Sequence, residues 1–283
     1  MSELPALIER LLAERELVLA AFTSEELVAV GADSPLRGLV ISERLTSMGP
    51  IPLTAALSTA LRGLVARGYV RPDDVDGDAD GPEDEPLEIP LDGDLAIVVA
   101  LRRTPSLVGI VSAIDPRLDD VLRPGFAQRA RAGAILHGFA AEGVGLIGVL
   151  EERRTPIGIH HFTLRTVERE MEVLRDALLA GGTGTGLVSL PGGAATTQLR
   201  VEFAVPDEDE PIHLVVELTL EEGEAGGGRT GGLTVRLRRI ARSGATDEER
   251  LGAEALPRRL LRLVDEIWHD TASGGGSLHE SAS

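Results

Sequence analysis

The chain has 283 residues, 46 acidic against 28 basic, a formal net charge of −18 and no cysteine. Disulfides, thiolate metal sites and cysteine nucleophiles are thereby excluded. Every base is arginine, which also removes Walker A loops, Schiff bases and lysine general bases.

The absence of both lysine and asparagine fits a GC-rich, actinobacterium-like genome. So negative a field repels phosphate backbones, and a nucleic-acid partner would need a local basic patch. Aromatic residues make up only 2% of the chain, so Leu, Val, Ile and Ala must fill the core. The length allows one large domain or two small ones. Charges interrupt the N-terminal apolar residues, unlike a signal peptide. No uncharged apolar run reaches the ~18 residues a membrane span needs. The expectation is a soluble, cytoplasmic protein without membrane insertion.

In chain order, residues 3–21 have helical apolar spacing at Leu4, Leu7, Ile8, Leu11, Leu12, Val18 and Leu19. Ser24, Glu25 and Glu26 suit the start of a second helix, and Gly31 its end. LRGLVISERLTSMG is a third helix candidate. A fourth runs from Leu53 to Arg67, with Pro52 near its start and Gly68 after it. Residues 73–88 carry nine acids, two prolines and no base, the composition of a solvated spacer.

Beyond it, LAIVVALRR (95–103) and SLVGIVSAI (106–114) read as β-branched strands joined at Thr104-Pro105. Strands follow at 132–141, 143–152 and 158–165, then an amphipathic helix at 166–180. A Gly-rich loop leads to strands at 198–206, 212–222 and 232–240 and a helix at 253–268. The fold class is therefore α+β: a helical N-terminal region, winged-helix-like in outline, then a largely antiparallel sheet built from two strand-strand-strand-helix halves. The implied boundaries are 1–72 for the helical region, 73–94 for the acidic linker, 95–270 for the α+β domain and 271–283 for a disordered tail.

Candidate chemistry is sparse. Asp76, Asp78, Asp80 and Gly81 begin like an EF-hand loop, with Asp84 in the ninth place. The twelfth place, which needs a bidentate Glu, is Leu87, and Glu88 comes one residue late. Glu83, Pro82 and Pro86 spoil the remainder, so an acidic spacer is the better reading. GGTGTG (181–186) follows a helix instead of opening one, so it reads as a helix stop, and 223–232 as a hairpin tip. The histidines are 137, 160, 161, 213, 269 and 279. His160 and His161 must face opposite sides of a strand, and none forms a zinc motif. His137 and His213 read as ordinary half-buried strand residues. Glu151-Glu152 and Glu221-Glu222 read as solvated strand ends. No catalytic, metal-binding or cofactor-binding residue is assigned, and no cofactor is expected.

The four N-terminal helices could form a winged helix-turn-helix with Leu53–Arg67 as its recognition helix. That helix presents Thr54, Ser58, Thr59, Arg62 and Arg67, few cations for phosphate neutralisation.

The helical start ending in LRGLVARGYVRPDD, the arginine-ended GDLAIVVALRR and the two strand-then-helix halves resemble the EspG-type chaperones of type VII secretion. The resemblance lies in organisation, length and composition over most of the chain, and no single residue is carried over from it. It implies a cytosolic, non-enzymatic protein that holds a helical secretion substrate of the PE/PPE kind. A homodimer is compatible with this. A transcriptional regulator with an N-terminal winged helix and a C-terminal sensing domain is the alternative.

Overall fold

The structure is a computed structural model that describes residues 3–32, 41–71, 90–113, 134–141, 144–183, 198–206, 212–221, 233–241 and 244–274. The EF-hand-like run at 76–88, the tip at 223–232 and His279 lie outside them. The architecture is α+β, with an N-terminal helical region and one large antiparallel sheet of ten strands.

Helix α1 (Glu3–Glu14) ends at Arg15, whose φ of 65° lies in the left-handed region and turns the chain out of the helix. The helix expected through residue 21 therefore stops early. Two short strands replace its end, β1 (Glu16–Val18) and β2 (Phe22–Thr23), both paired with a later strand. Helix α2 (Ser24–Ala29) carries a capping box. Thr23 Oγ1 accepts from the Glu26 amide at 3.1 Å, and Glu26 Oε2 accepts from the Thr23 amide at 2.8 Å. Of the third expected helix, the described part is the single turn α3 (Glu43–Thr46). Helix α4 (Pro50–Ala66) starts three residues earlier than expected, with Pro50 in its first turn.

The segment 95–103 is not a strand. It lies in helix α5 (Gly93–Arg103). Its buried residues Leu95, Val98, Val99 and Arg102 recur at helical spacing, Asp94 sits in the first turn, and Arg102 and Arg103 sit in the last. Those signals outweigh the β-branched run, and Thr104-Pro105 joins a helix to a strand instead of two strands.

The remaining elements are β3 (Leu107–Ala113), β4 (Ala134–Ala141), β5 (Gly145–Arg154), β6 (Ile159–Thr166) and α6 (Val167–Thr183), then β7 (Gln198–Ala204), β8 (Ile212–Glu221), β9 (Thr234–Ala241) and β10 (Thr246–Gly252). A turn of 3-10 helix (Ala253–Ala255) leads into α7 (Leu256–Gly274). Two strand-then-helix halves are present, but the second has a fourth strand. The sequence reading missed β10 because TDEERLG offers no apolar alternation. Helix α6 runs on to Thr183, into the GGTGTG segment, and α7 runs past residue 271, where a disordered tail was expected.

The strand order is β1-β6-β5-β4-β3-β7-β8-β9-β10, with β2 also on β6. Helices α6 and α7 cover one face. Val167, Met171, Leu174 and Leu178 of α6 and Leu256, Leu260, Leu263 and Ile267 of α7 pack there on Leu136, Val149, Val201, Val216 and Leu237. The N-terminal helices cover the other face over β4–β6. Leu11, Leu27, Leu64, Leu95 and Val98 meet Phe139, Leu150, Phe162 and Leu164. On that same face β7–β10 carry ion pairs instead. Arg200 bridges Glu202 and Glu217, Arg238 also reaches Glu217, and Glu221 takes Arg236 and Arg250. Strand β10 ends the order with Asp247, Glu248 and Glu249, charges that discourage edge-to-edge pairing. Among the described residues no helix is long and apolar enough to cross a membrane.

Gly148 sits opposite Phe139 in the β4–β5 ladder. A Cβ there would lie 2.6 Å from Phe139 Cζ and 2.8 Å from the Arg165 carbonyl oxygen. The backbone oxygen cannot step aside without disturbing β6. Gly148→Ala is therefore expected to cost about 1–3 kcal/mol, read as a lower urea midpoint with an unchanged denaturant slope.

Candidate functional site

Chemically competent side chains converge in two buried clusters on opposite faces of β5. The segment Glu151-Glu152-Arg153-Arg154 generates both. Neighbouring residues of a strand face opposite ways, and residues two apart share a face. Arg153 Nε thus donates to Glu151 Oε1 at 2.7 Å, and Arg154 Nε to Glu152 Oε1 at 2.8 Å. Neither glutamate is a solvated strand end, because both are buried.

The first cluster surrounds Glu152, beneath the N-terminal helices. In the sheet Glu152 faces Ile135 of β4 and Phe162 of β6. His137 and His160 lie two residues along from those partners, which places an imidazole diagonally on each side of the carboxylate. His137 Nε2 lies 3.0 Å from Oε2, and His160 Nδ1 lies 2.7 Å from Oε1. From α5, Arg102 Nε donates to Oε2 at 3.0 Å. With Arg154, four N–H groups converge on one fully buried carboxylate.

Arg102 also donates to the Ala32 carbonyl, and Arg103 donates to those of Gly31 and Val30 at 2.8 and 2.7 Å. The end of α5 thereby caps the carbonyls that follow α2. Ser24, the first residue of α2, places its Oγ 2.9 Å from His160 Nε2. The network assigns the tautomers. His137 carries its proton on Nε2, His160 carries its own on Nδ1, and the Ser24 hydroxyl donates to His160.

Burial alone would raise the carboxyl pKa of Glu152. The Arg102 and Arg154 guanidiniums outweigh it and hold the group well below the ordinary carboxylate range. Burial lowers both imidazoles below the usual histidine value, with the same arginines adding to the effect and Glu152 opposing it. The imidazoles are therefore neutral at pH 7.

The order Ser24–His160–Glu152 is the atom order of a serine nucleophile, its base and an orienting acid. Three observations count against that use. Ser24 and His160 are 4% and 1% exposed. An imidazolium formed during attack would also sit beside the Arg102 and Arg154 guanidiniums, which already work against a charge on His160. The Ser24 amide, moreover, donates to the Gly158 carbonyl at 2.9 Å instead of being free to bind an oxyanion. The arrangement acts as a clasp between α2, α5 and the sheet.

The second cluster lies on the α6 face. Arg165 NH1 donates to Glu151 Oε2 at 2.6 Å and to Glu170 Oε2 at 2.9 Å, while Arg165 Nε donates to Glu16 of β1 at 3.0 Å. Arg169 reaches Glu16 and Glu172, and Arg15 also reaches Glu172. Glu170 is fully buried, and its Oε1 has no hydrogen-bond partner. Burial, then the neighbouring Glu151 charge, push its pKa up to about 7 against the pull of Arg165.

His161 is exposed, as expected for the neighbour of a buried strand residue. His137 is fully buried, not half-buried, and His160 is buried as well, because each has a carboxylate partner to satisfy it. His269 lies exposed on α7, away from this cluster. Among the described residues no three His, Asp or Glu side chains are placed to hold a metal ion. Sequence reasoning missed Glu151, Glu152, Arg102 and Ser24. The one local signal was two acids followed by two bases inside a strand pattern.

Glu152→Gln would turn an amide N–H toward a ring of donors and remove the charge that the buried Arg102 and the half-buried Arg154 face. It is expected to cost about 3–5 kcal/mol, measured by urea unfolding at neutral pH. Glu170→Gln runs the other way. The folded carboxyl holds its proton up to about 7, whereas the unfolded one releases it near 4.5. Stability therefore falls as pH rises between those values and then levels off. The glutamine variant should be more stable than wild type at alkaline pH by up to ~3 kcal/mol, with the gain vanishing toward the acid end of that window.

Neither a protein-family model, nor a curated protein, nor a solved structure matches the chain.

Proposed function

We propose that the protein is a non-enzymatic binding protein that holds an apolar helical partner, a chaperone for a secretion substrate of the PE/PPE kind as the EspG resemblance implies. The observation that carries this reading is the surface of α4. Between Pro50 and Ala66 the helix has one charged residue, Arg62, and only Ala60 and Leu64 are buried. Ile51 is 83% exposed, and Pro52, Thr54, Ala55, Ser58 and Thr59 are exposed beside it. A surface helix of a soluble protein usually keeps charged residues on its wet side. A wet side with a single charge suits contact with another apolar helix laid along it.

The regulator reading uses the same helix against DNA, and the arginines disfavour it. Arg67 is held by Glu26 at 2.8 Å and the Ala21 carbonyl at 3.0 Å, and it stacks over the Phe22 and Tyr69 rings. It is committed to the fold, which leaves Arg62 as the only cation on α4 for a phosphate.

A pull-down from native lysate separates the two readings. Wild-type protein should retain a small all-helical protein, identified by mass spectrometry. The Ile51→Glu/Ala55→Glu double variant should retain at least about tenfold less, with an unchanged Tm. Equal retention by wild type and variant would remove α4 as the contact. Salt-sensitive retention of promoter DNA, with no protein partner, would move the conclusion to the regulator.

A further inference from the structure

We propose that strand β1 is an acid-held edge of the sheet, fastened to β6 while Glu170 carries a proton and released from it as that proton leaves. The geometry behind this is a shortage of donors at one buried carboxyl. Arg165 NH1 serves two carboxyl groups at once, Glu151 Oε2 at 2.6 Å and Glu170 Oε2 at 2.9 Å. Glu170 Oε1 is buried and has no hydrogen-bond partner. An ionised carboxylate has lone pairs on both oxygens to satisfy, and leaving one oxygen bare away from water is costly. A proton removes the charge and with it most of that demand.

Water is the donor that ionised Glu170 needs, and β1 is the way in. Strand β1 ends the strand order. The cover over Glu170 thins toward it: the Arg165 side chain is 8% exposed, against 33% for Glu16 and 35% for Arg169. Glu16 of β1 accepts from Arg165 Nε and Arg169 Nε, and Arg15, just before β1, donates to Glu172 at 2.8 Å. Helix α6 is pinned from below by Val167, Met171, Leu174 and Leu178. Strand β1 has three residues and one buried side chain, Leu17. Loosening β1 therefore hydrates the cluster at less cost than moving α6.

Among the described residues, the charged and titratable groups around Glu170 come from each neighbouring element. Strand β5 brings Glu151 and Arg153. Strand β6 brings Arg165 and, further along the same face, the exposed His161. Helix α6 adds Glu168, Arg169 and Glu172. Strands β7 and β8 and helix α7 bring apolar side chains, and the turn before α7 brings Glu254 to Arg175. Arginine partners hold the Glu16 and Glu172 carboxyls below the ordinary carboxylate value, so neither competes for the proton that Glu170 takes.

The direction with pH follows from the two forms. Burial and the Glu151 charge hold the closed-form carboxyl at about 7, whereas one open to water titrates near 4.5. The closed form keeps its proton longer as pH rises. Strand β1 is therefore tightest below the lower value. Between the two values its opening constant rises by up to about tenfold per pH unit, and above the upper one it levels off. The buried histidines beneath the N-terminal helices, whose values are lowered, act in the opposite sense, so a Glu170 variant and a local probe are needed to isolate β1.

Amide hydrogen exchange of the full chain supplies that probe at two sites. The Leu19 amide donates to the Phe162 carbonyl at 3.0 Å and the Thr166 amide to the Arg15 carbonyl at 3.1 Å, and both bonds break when β1 leaves. Their opening constants, corrected for intrinsic exchange, should rise at least about tenfold from about pH 5 to about pH 7.5. They should change little in urea below the unfolding transition, because a local opening exposes little surface. In Glu170→Gln the rise with pH should vanish. Glu151→Gln removes a charge that opposes ionisation of Glu170 and should leave a smaller rise than wild type shows. A rise that persists unchanged in either variant would overturn the proposal. So would urea sensitivity at Leu19 and Thr166 equal to that of global unfolding, or no rise with pH in wild type.

Discussion

A carboxylate shut away from water must find a donor for each strong lone pair, and Glu152 meets that demand from three strands and a helix. The requirement reaches far beyond one residue. It needs β4, β5 and β6 in the register that puts His137 and His160 on its two diagonals. It needs α5 to end where Arg102 can reach inward, and α2 to begin where Ser24 meets His160. A slip of one residue in β5 would send Glu152 to the α6 face and Glu151 beneath the N-terminal helices. The polar cluster thus specifies register, which an apolar core of Leu and Val, tolerant of small shifts, specifies less sharply.

The same strand repeats the solution on its other side with a different outcome. Glu151 shares Arg165 with Glu170. Arg165 meets Glu16, Glu151 and Glu170 together, and burial with the Glu151 charge pushes the Glu170 proton on in spite of Arg165 and Arg153. Around Glu152, Arg102 and Arg154 hold the carboxylate charged, and burial beside them keeps both histidines neutral. One face therefore stores a proton where the other resists one. The contrast follows from which charges lie nearest: a carboxylate beside Glu170, guanidiniums beside the two histidines, with burial acting on all three.

The halves of the sheet also differ in what covers them. Over β4–β6 the N-terminal helices seal the face with Leu and Phe contacts. Over β7–β10 arginines and glutamates alternate across the strands and stay in contact with water. Such pairs contribute little to stability singly, but they keep that face from acting as a sticky surface. The weakly charged surface that remains is α4, the region on which the binding proposal rests.

Period-two and period-3.6 patterns are local, so the sequence alone carried the α+β class, the antiparallel strands from 134 to 241, the helices α6 and α7, and the apolar stripes that hold them down. Where local signals conflict, the pattern misled. Helix α5 was hidden by its valines, although Leu95, Val98, Val99 and Arg102 already had helical spacing. Strand β10 was hidden because an edge strand has no apolar face to show. The clusters were out of reach for another reason. Ser24, Arg102, His137, Glu152 and His160 are scattered over 136 positions of chain, and no spacing rule connects them. Only strand order and register bring them within hydrogen-bonding distance, and that proximity is what turns ordinary histidines and glutamates into buried, mutually dependent groups.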